Sequence, residues 1–173
     1  MELTLTYILS QVFIIINYIL LVISYQSKNR RCILILNIFS LTSSCISYIF
    51  LNAKTGIAMA IVSIIRNIIF ILNNEENDKI TKKDIGILLF IYSLCIILAI
   101  FTYETSLSLM SVFATMLYTY SVWQKSTKVY KYLGAPICLI WIIYNIYIKS
   151  LFGFILEFIL MISSIIGLIK ENK

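Results

Sequence analysis

Two charged residues interrupt otherwise uncharged apolar stretches, Arg66 and Glu157, and chemistry is sought there first. A charge inside a membrane-spanning stretch usually faces a bundle interior or a water-filled cavity, and marks a functional site by default. Arg66 admits two readings. It lies about seven residues, roughly 10 Å by helical rise, from the end of its segment, so its guanidinium either lines a site or snorkels to the interface. Glu157 is the one acid within such a stretch and a candidate coupling acid for protons. It lies about a turn and a half from the end of its segment, so the alternatives are an interfacial position or pairing with Lys54 or Lys149. The two charges fall near opposite ends of their segments, and no direct pair between them is expected.

A neutral polar set accompanies them. Asn17 lies deep in the first apolar segment, Asn67 adjoins Arg66, and Trp141 precedes Asn145 by one helical turn. Tyr48 aligns near Tyr144 and Asn145, and Thr115 near Asn17, when the two halves of the chain are superposed. Aromatic faces with amide donors and acceptors suit a small, neutral, hydrogen-bonding solute such as a sugar or nucleoside. Interhelical hydrogen bonding would use the same residues. Catalysis is not indicated. Histidine is absent, and the sequence shows no paired carboxylates, nucleophile with base, phosphate loop or metal-ligand spacing. Cys32, Cys45, Cys95 and Cys138 stand singly in or beside apolar segments and read as small buried hydrophobes. No cofactor is expected.

The elements that position these residues follow from composition. The 173 residues are 61% hydrophobic and 13% charged, with one proline and a mean hydropathy of +0.96. A water-soluble domain of this size needs far more polar surface. The partner this chain is built for is the lipid bilayer. Its net charge of +6 sits in short loops between apolar segments, which a membrane explains and which gives no reason to invoke nucleic acid. The first apolar run is about twice the length of a signal h-region and is preceded by Glu2 rather than a basic residue, so it is expected to remain as a helix.

Seven segments are expected to be helical: about Thr4–Tyr25, Cys32–Leu51, Gly56–Leu72, Ile85–Tyr103, Ser106–Trp123, Tyr132–Ile148 and Phe152–Ile169. The second is rich in hydroxyls, with Ser43 and Ser47 in small-xxx-small spacing. Tyr118, Tyr120 and Trp123 read as interfacial anchors closing the fifth. One hydrophilic linker, Asn73–Asp84, reads as a solvated loop, and Gln124–Lys131 as a basic one. With seven crossings, eleven Lys and Arg fall on one side (Lys79 and Lys173 among them) against Lys54 and Lys149 on the other, Arg66 lying within a span. That bias places the N-terminus outside and the C-terminus in the cytoplasm.

The chain therefore reads as an all-α polytopic membrane protein with a single transmembrane domain, residues 1–173. Two parallel three-helix units, 1–72 and 106–169, are joined by a linker helix, 85–103. An unbroken three-helix unit begins and ends on opposite faces, so the extra helix lets the second unit share the orientation of the first. Parallel repeats of this kind are a transporter architecture. The repeat is also faintly legible in the residues. Tyr25-Gln26 and Trp123-Gln124 each precede a basic loop, an apolar helix, a turn with one lysine and a glycine, with 30 positions from Gln26 to Gly56 and 29 from Gln124 to Gly153.

Ser24-Tyr25-Gln26, Ala53-Lys54-Thr55-Gly56, Arg66-Asn67 and Trp141-Ile142-Ile143-Tyr144-Asn145 together resemble the bacterial inner-membrane protein family called YgjV, over nearly the full chain. A more remote similarity is to the SWEET and PnuC-like sugar and vitamin transporters of three-one-three arrangement. Their proline-glutamine signature is absent, since Pro136 is followed by Ile137. The resemblance implies a multi-pass protein of the bacterial inner membrane. Together with the repeat it implies a small-solute transporter or facilitator whose halves rock about a site near Asn17, Asn67, Trp141 and Asn145, with Arg66 and Tyr144 beside it. The alternative is a non-transporting accessory subunit that meets a partner through the serine-rich face of the second helix. Homo-oligomers would form through small faces such as Gly56 and Ala60.

Overall fold

The computed structural model describes residues 5–73 and 80–171. Thr4, Lys79, Lys173 and most of the hydrophilic linker lie outside the described residues. Seven α-helices account for nearly all the rest: α1 (Leu5–Gln26), α2 (Arg30–Phe50), α3 (Lys54–Leu72), α4 (Lys82–Phe101), α5 (Leu109–Trp123), α6 (Thr127–Tyr147) and α7 (Leu151–Glu171). Six of them are long and apolar enough to cross a membrane. The exception is α5. It has 15 residues, about 22 Å of helix, and a 3₁₀ turn at Ser106–Ser108 extends it where one continuous helix was expected.

Caps explain why several helices start before their apolar stretch. Asn29 Oδ1 accepts from the backbone of Arg31 at 2.9 Å and of Cys32 at 3.3 Å, which fixes the start of α2 at Arg30. Thr81 and Asp84 form a reciprocal capping box, Asp84 Oδ2 accepting from Thr81 N at 2.8 Å. So Asp84, expected to end a loop, lies in the first turn of α4. Ser126 caps α6, which begins five residues earlier than expected. This draws Lys131 out of the supposed basic loop into a helix, where it is buried and bonds Glu171 at 2.5 Å.

The turns α2–α3 and α6–α7 are built alike. Asn52 (φ 56°) and Lys149 (φ 57°) take the left-handed conformation. In the first turn Ala53 N donates to Tyr48 O and Asn52 N to Ile49 O; in the second Ser150 N donates to Asn145 O and Lys149 N to Ile146 O. Both are Schellman motifs. One constant sequence offset carries Tyr48 onto Asn145, Ile49 onto Ile146, Asn52 onto Lys149 and Ala53 onto Ser150. The same offset carries the cap Asn29 onto the cap Ser126.

Helices α1, α2, α3, α5, α6 and α7 form a ring in that order, closed by α7 packing on α1, while α4 lies outside and touches α3 and α5. The role of α4 is visible in its burial pattern. Apart from Asp84 at its start, only Ile91, Cys95 and Ala99 are buried, a narrow seam at every fourth residue, and the rest of its apolar surface faces outward.

Two expected interaction faces are used within the chain. Ser40, Ser43, Ser44 and Ser47 are all buried, with Ser43 Oγ donating to Phe13 O at 2.8 Å and Ser40 donating to Asn17 Oδ1. The serine-rich face of α2 is therefore packed against α1 and cannot receive a partner. Gly56 and Ala60 are likewise buried; a Cβ at Gly56 would lie 2.8 Å from the Tyr144 hydroxyl and 3.0 Å from the Tyr48 ring. That face joins α3 to α2 and α6 and is not free for a second copy.

Candidate functional site

The ring encloses a cavity of about 70 Å³. All six ring helices contribute: Asn17, Tyr18 and Tyr25 from α1, Ser40 and Tyr48 from α2, Ser63 from α3, Thr115 and Tyr118 from α5, Cys138 and Trp141 from α6, Glu157 and Leu160 from α7. No residue of α4 lines it. On the scale of roughly 10–15 Å³ for one water-sized probe, it holds a few such groups.

Of the expected site residues, Asn17, Trp141 and Glu157 reach the cavity wall directly. Glu157 is 3% exposed, so the interfacial reading does not hold. Nor does pairing with a lysine: Lys54 instead meets Glu104 at 3.4 Å, and the Glu157 Oε1 accepts from the Tyr18 hydroxyl at 2.5 Å. Asn145 stands one bond further out, its Nδ2 donating to the same Tyr18 oxygen at 3.3 Å. Asn145, Tyr18 and Glu157 thus form a buried relay across α6, α1 and α7. Tyr144 is not on the wall; it packs edge-on against Trp141 at 5.5 Å and Tyr48 at 6.1 Å, a wedge that fixes both cavity rings.

Arg66 does not snorkel. It is fully buried, with Nε donating to Asn67 Oδ1 at 3.1 Å and Nη1 to Thr119 Oγ1 at 3.0 Å. Its guanidinium carbon lies 5.1 Å from the centre of the Tyr118 ring. The cation–π contact supplies part of what a counter-ion would. Arg66 Nη2 and Asn67 Nδ2 are buried without partners among the described residues. Arg66 therefore sits behind the Tyr118 ring and joins α3 to α5, with Asn67 bonded to it, and neither residue lines the cavity. Arg66 and Glu157 make no direct ion pair among the described residues.

Several wall residues escape sequence reasoning. Tyr118 reads as an interfacial anchor, yet it stacks on Arg66 and its hydroxyl meets that of Tyr130 at 3.0 Å. Tyr130 in turn meets Ser24 Oγ at 2.7 Å and stacks on Tyr25 at 4.7 Å, which floors the cavity toward the lysine-rich end. Trp123 donates its indole N–H to Asp84 O at 2.9 Å, holding α5 to α4. Tyr18 carried no signal beyond an aromatic in an apolar run, and Tyr25 stood out only as part of the Ser24-Tyr25-Gln26 stretch at the end of its segment. Cys95 and Cys138 are buried, Cys45 is half-buried and Cys32 is exposed, all as free thiols. Among the described residues no group of three His, Cys, Asp or Glu is placed to hold a metal.

Residues 8–173 match the Imp-YgjV family model, described as a bacterial inner membrane protein. The chain belongs to this family. Comparisons with curated proteins and with solved structures found no match, and the expected likeness to the SWEET and PnuC-like group is not shown. Membership of the Imp-YgjV family makes the ring a multi-pass assembly of the bacterial inner membrane, and explains its outward apolar surface, from Leu89 and Phe90 on α4 to Ile162 and Ile166 on α7. In this Imp-YgjV protein many polar side chains and the rings of Tyr18, Tyr25, Tyr48 and Tyr144 are turned inward, while the outward surface is mainly aliphatic and phenylalanine side chains. A cavity walled by rings, hydroxyls, an amide and one carboxylate is equipped to bind and orient a small molecule.

Proposed function

We propose that this Imp-YgjV protein is a small-solute transporter or facilitator of the bacterial inner membrane, with the ring cavity as its solute site. The observation that carries the reading is the participation of all six ring helices, and not α4, in that one polar and aromatic cavity. Two parallel three-helix repeats, α1–α3 and α5–α7, rock about it, and α4 is the linker that restores their common orientation. The matched Schellman turns at Asn52 and Lys149 support the repeat, as do the matched caps at Asn29 and Ser126. The contact order supports it too, because α1–α2, α2–α3 and α3–α5 map onto α5–α6, α6–α7 and α7–α1. Lysine asymmetry puts the N-terminus outside and the C-terminus in the cytoplasm.

The test is aqueous access to the cavity. In a background freed of Cys32, Cys45, Cys95 and Cys138, a cysteine replacing Asn17 should react with a membrane-impermeant thiol reagent, and a cysteine replacing the outward-facing Ile16 should not. Protection of position 17 in folded protein on both sides of the membrane would rule out a transport path here.

A further inference from the structure

The cavity wall is chemically lopsided. Five aromatic rings line it, Tyr18, Tyr25, Tyr48, Tyr118 and Trp141, and Glu157 is the one charged side chain among the lining residues. Glu157 Oε1 is engaged by Tyr18. Its Oε2 is buried and accepts no hydrogen bond from nitrogen or oxygen among the described residues. The three ion pairs among those residues, Lys54–Glu104, Lys125–Asp84 and Lys131–Glu171, all lie at helix ends and leave Glu157 out. The buried cation Arg66 is held by Thr119, Asn67 and Tyr118 and does not line the cavity.

The Cys138 thiol, a weak donor, is the other group beside the carboxyl. A buried carboxyl group with no stronger partner costs several kcal/mol unless something of opposite charge or a strong donor meets it. The faces of tyrosine and tryptophan rings carry negative electrostatic potential and attract cations. Cages of such rings recognise organic ammonium groups. An anionic solute would meet repulsion from both the rings and the carboxylate. Size points the same way: about 70 Å³ is far below the roughly 300–1,000 Å³ of ordinary small-molecule pockets and suits a compact head group better than a hexose or nucleoside.

We propose that the cavity takes a small organic cation, an ammonium group on a compact and otherwise neutral body, with Glu157 as its counter-charge and the rings of Tyr18, Tyr48 and Trp141 as its cage. This rests on the transport reading and names its solute, replacing the neutral sugar or nucleoside that the polar residues alone suggest. Asn17 and Ser40, hydrogen-bonded to each other on the wall, supply neutral groups for a hydroxyl or carbonyl on the same solute.

The experiment is a thermal-shift titration of the purified full chain in detergent. The probes are methylammonium, ethanolamine and choline chlorides, with glucose, uridine and sodium chloride at matched ionic strength as comparisons. At least one ammonium compound should raise the melting temperature in a saturable way that sodium chloride does not reproduce. Glu157→Gln, which keeps the shape and the Tyr18 contact, should weaken that ligand at least tenfold. Trp141→Leu, which keeps the charge, should weaken it by a similar factor and keeps the inference testable if Glu157→Gln does not fold. An unchanged response in either folded variant overturns the proposal. A response to glucose or uridine with none to the ammonium probes also overturns it while leaving the transport reading standing. A silent panel on folded protein overturns the cation assignment as well, and transport is then judged separately by the labelling of position 17.

Discussion

Gly167 offers a sharp test of the packing that closes the ring. A Cβ built there would lie 2.4 Å from the backbone oxygen of Tyr25, about 1 Å inside the roughly 3.5 Å at which non-bonded heavy atoms meet comfortably. The obstacle is main chain near the end of α1, so no rotamer change relieves it. Overpacking of this kind costs about 1–3 kcal/mol, and a full ångström against backbone falls at the upper end. Alanine recovers about 0.8–1 kcal/mol of helix propensity over glycine, leaving Gly167→Ala destabilised by about 2 kcal/mol. At roughly 2–4 °C per kcal/mol for a chain of this size, the melting temperature should fall by about 4–8 °C. Gly86 in α4 is the internal control, because a Cβ there meets nothing within 4 Å. Gly86→Ala should gain about 0.5–1 kcal/mol. Both variants are read by thermal unfolding of purified protein in one detergent. A Gly167→Ala protein that melts at or above the parent would refute the close approach of α7 to α1, and with it the closed ring.

Other substitutions probe single interactions. Thr119→Val keeps the shape but removes the acceptor of Arg66 Nη1, and should cost about 1–3 kcal/mol; unchanged stability would mean that this bond does not form. Lys149 holds φ at 57°, a conformation costing a non-glycine residue roughly 1–2 kcal/mol, so Lys149→Gly should raise the melting temperature while Lys149→Val lowers it. An increase in both would count against the Schellman turn. Glu171→Gln removes the partner of the buried Lys131 and should destabilise by about 1–3 kcal/mol, less than a fully buried pair because Glu171 is partly exposed. Its chemical or thermal unfolding matching that of the parent would show the pair to be idle.

How far the sequence carried can be seen at particular residues. Helix number and order follow from the lengths of uncharged runs, which are properties of the chain alone, whereas the position of α4 outside the ring is decided by packing that no run length encodes. Glu157, Asn17 and Trp141 were legible because each is polar or amphipathic where apolar residues are the rule. Tyr118 was misread because position near a helix end is the only sequence cue separating an interfacial anchor from a wall residue. What decides its role is Arg66, more than fifty residues away. Lys131 was misread for a related reason: a basic residue beside two others looks like loop until the cap at Ser126 brings it into α6 and Glu171 meets it from another helix. Tyr18 is the plainest case. Its importance lies entirely in what it touches, and Glu157 and Asn145 are both more than a hundred positions from it.

The ring also has an uneven mechanical character. Short turns tie α1 to α2, α2 to α3, α5 to α6 and α6 to α7, and the α3–α5 seam is spliced on its outer side by α4. Between α1 and α7 no peptide link runs, so the ring is a split collar whose gap is held by side-chain clasps. Gln11 accepts from Phe152 N at one end, Tyr18 and Glu157 close the middle, and Gln26 binds Ser163 and Lys170 at the other. Parting this one seam stretches no connection and would open the cavity sideways to the lipid, and the middle clasp is the same carboxyl group that faces the cavity. A guest that drew Glu157 away from Tyr18 would unfasten the collar from within.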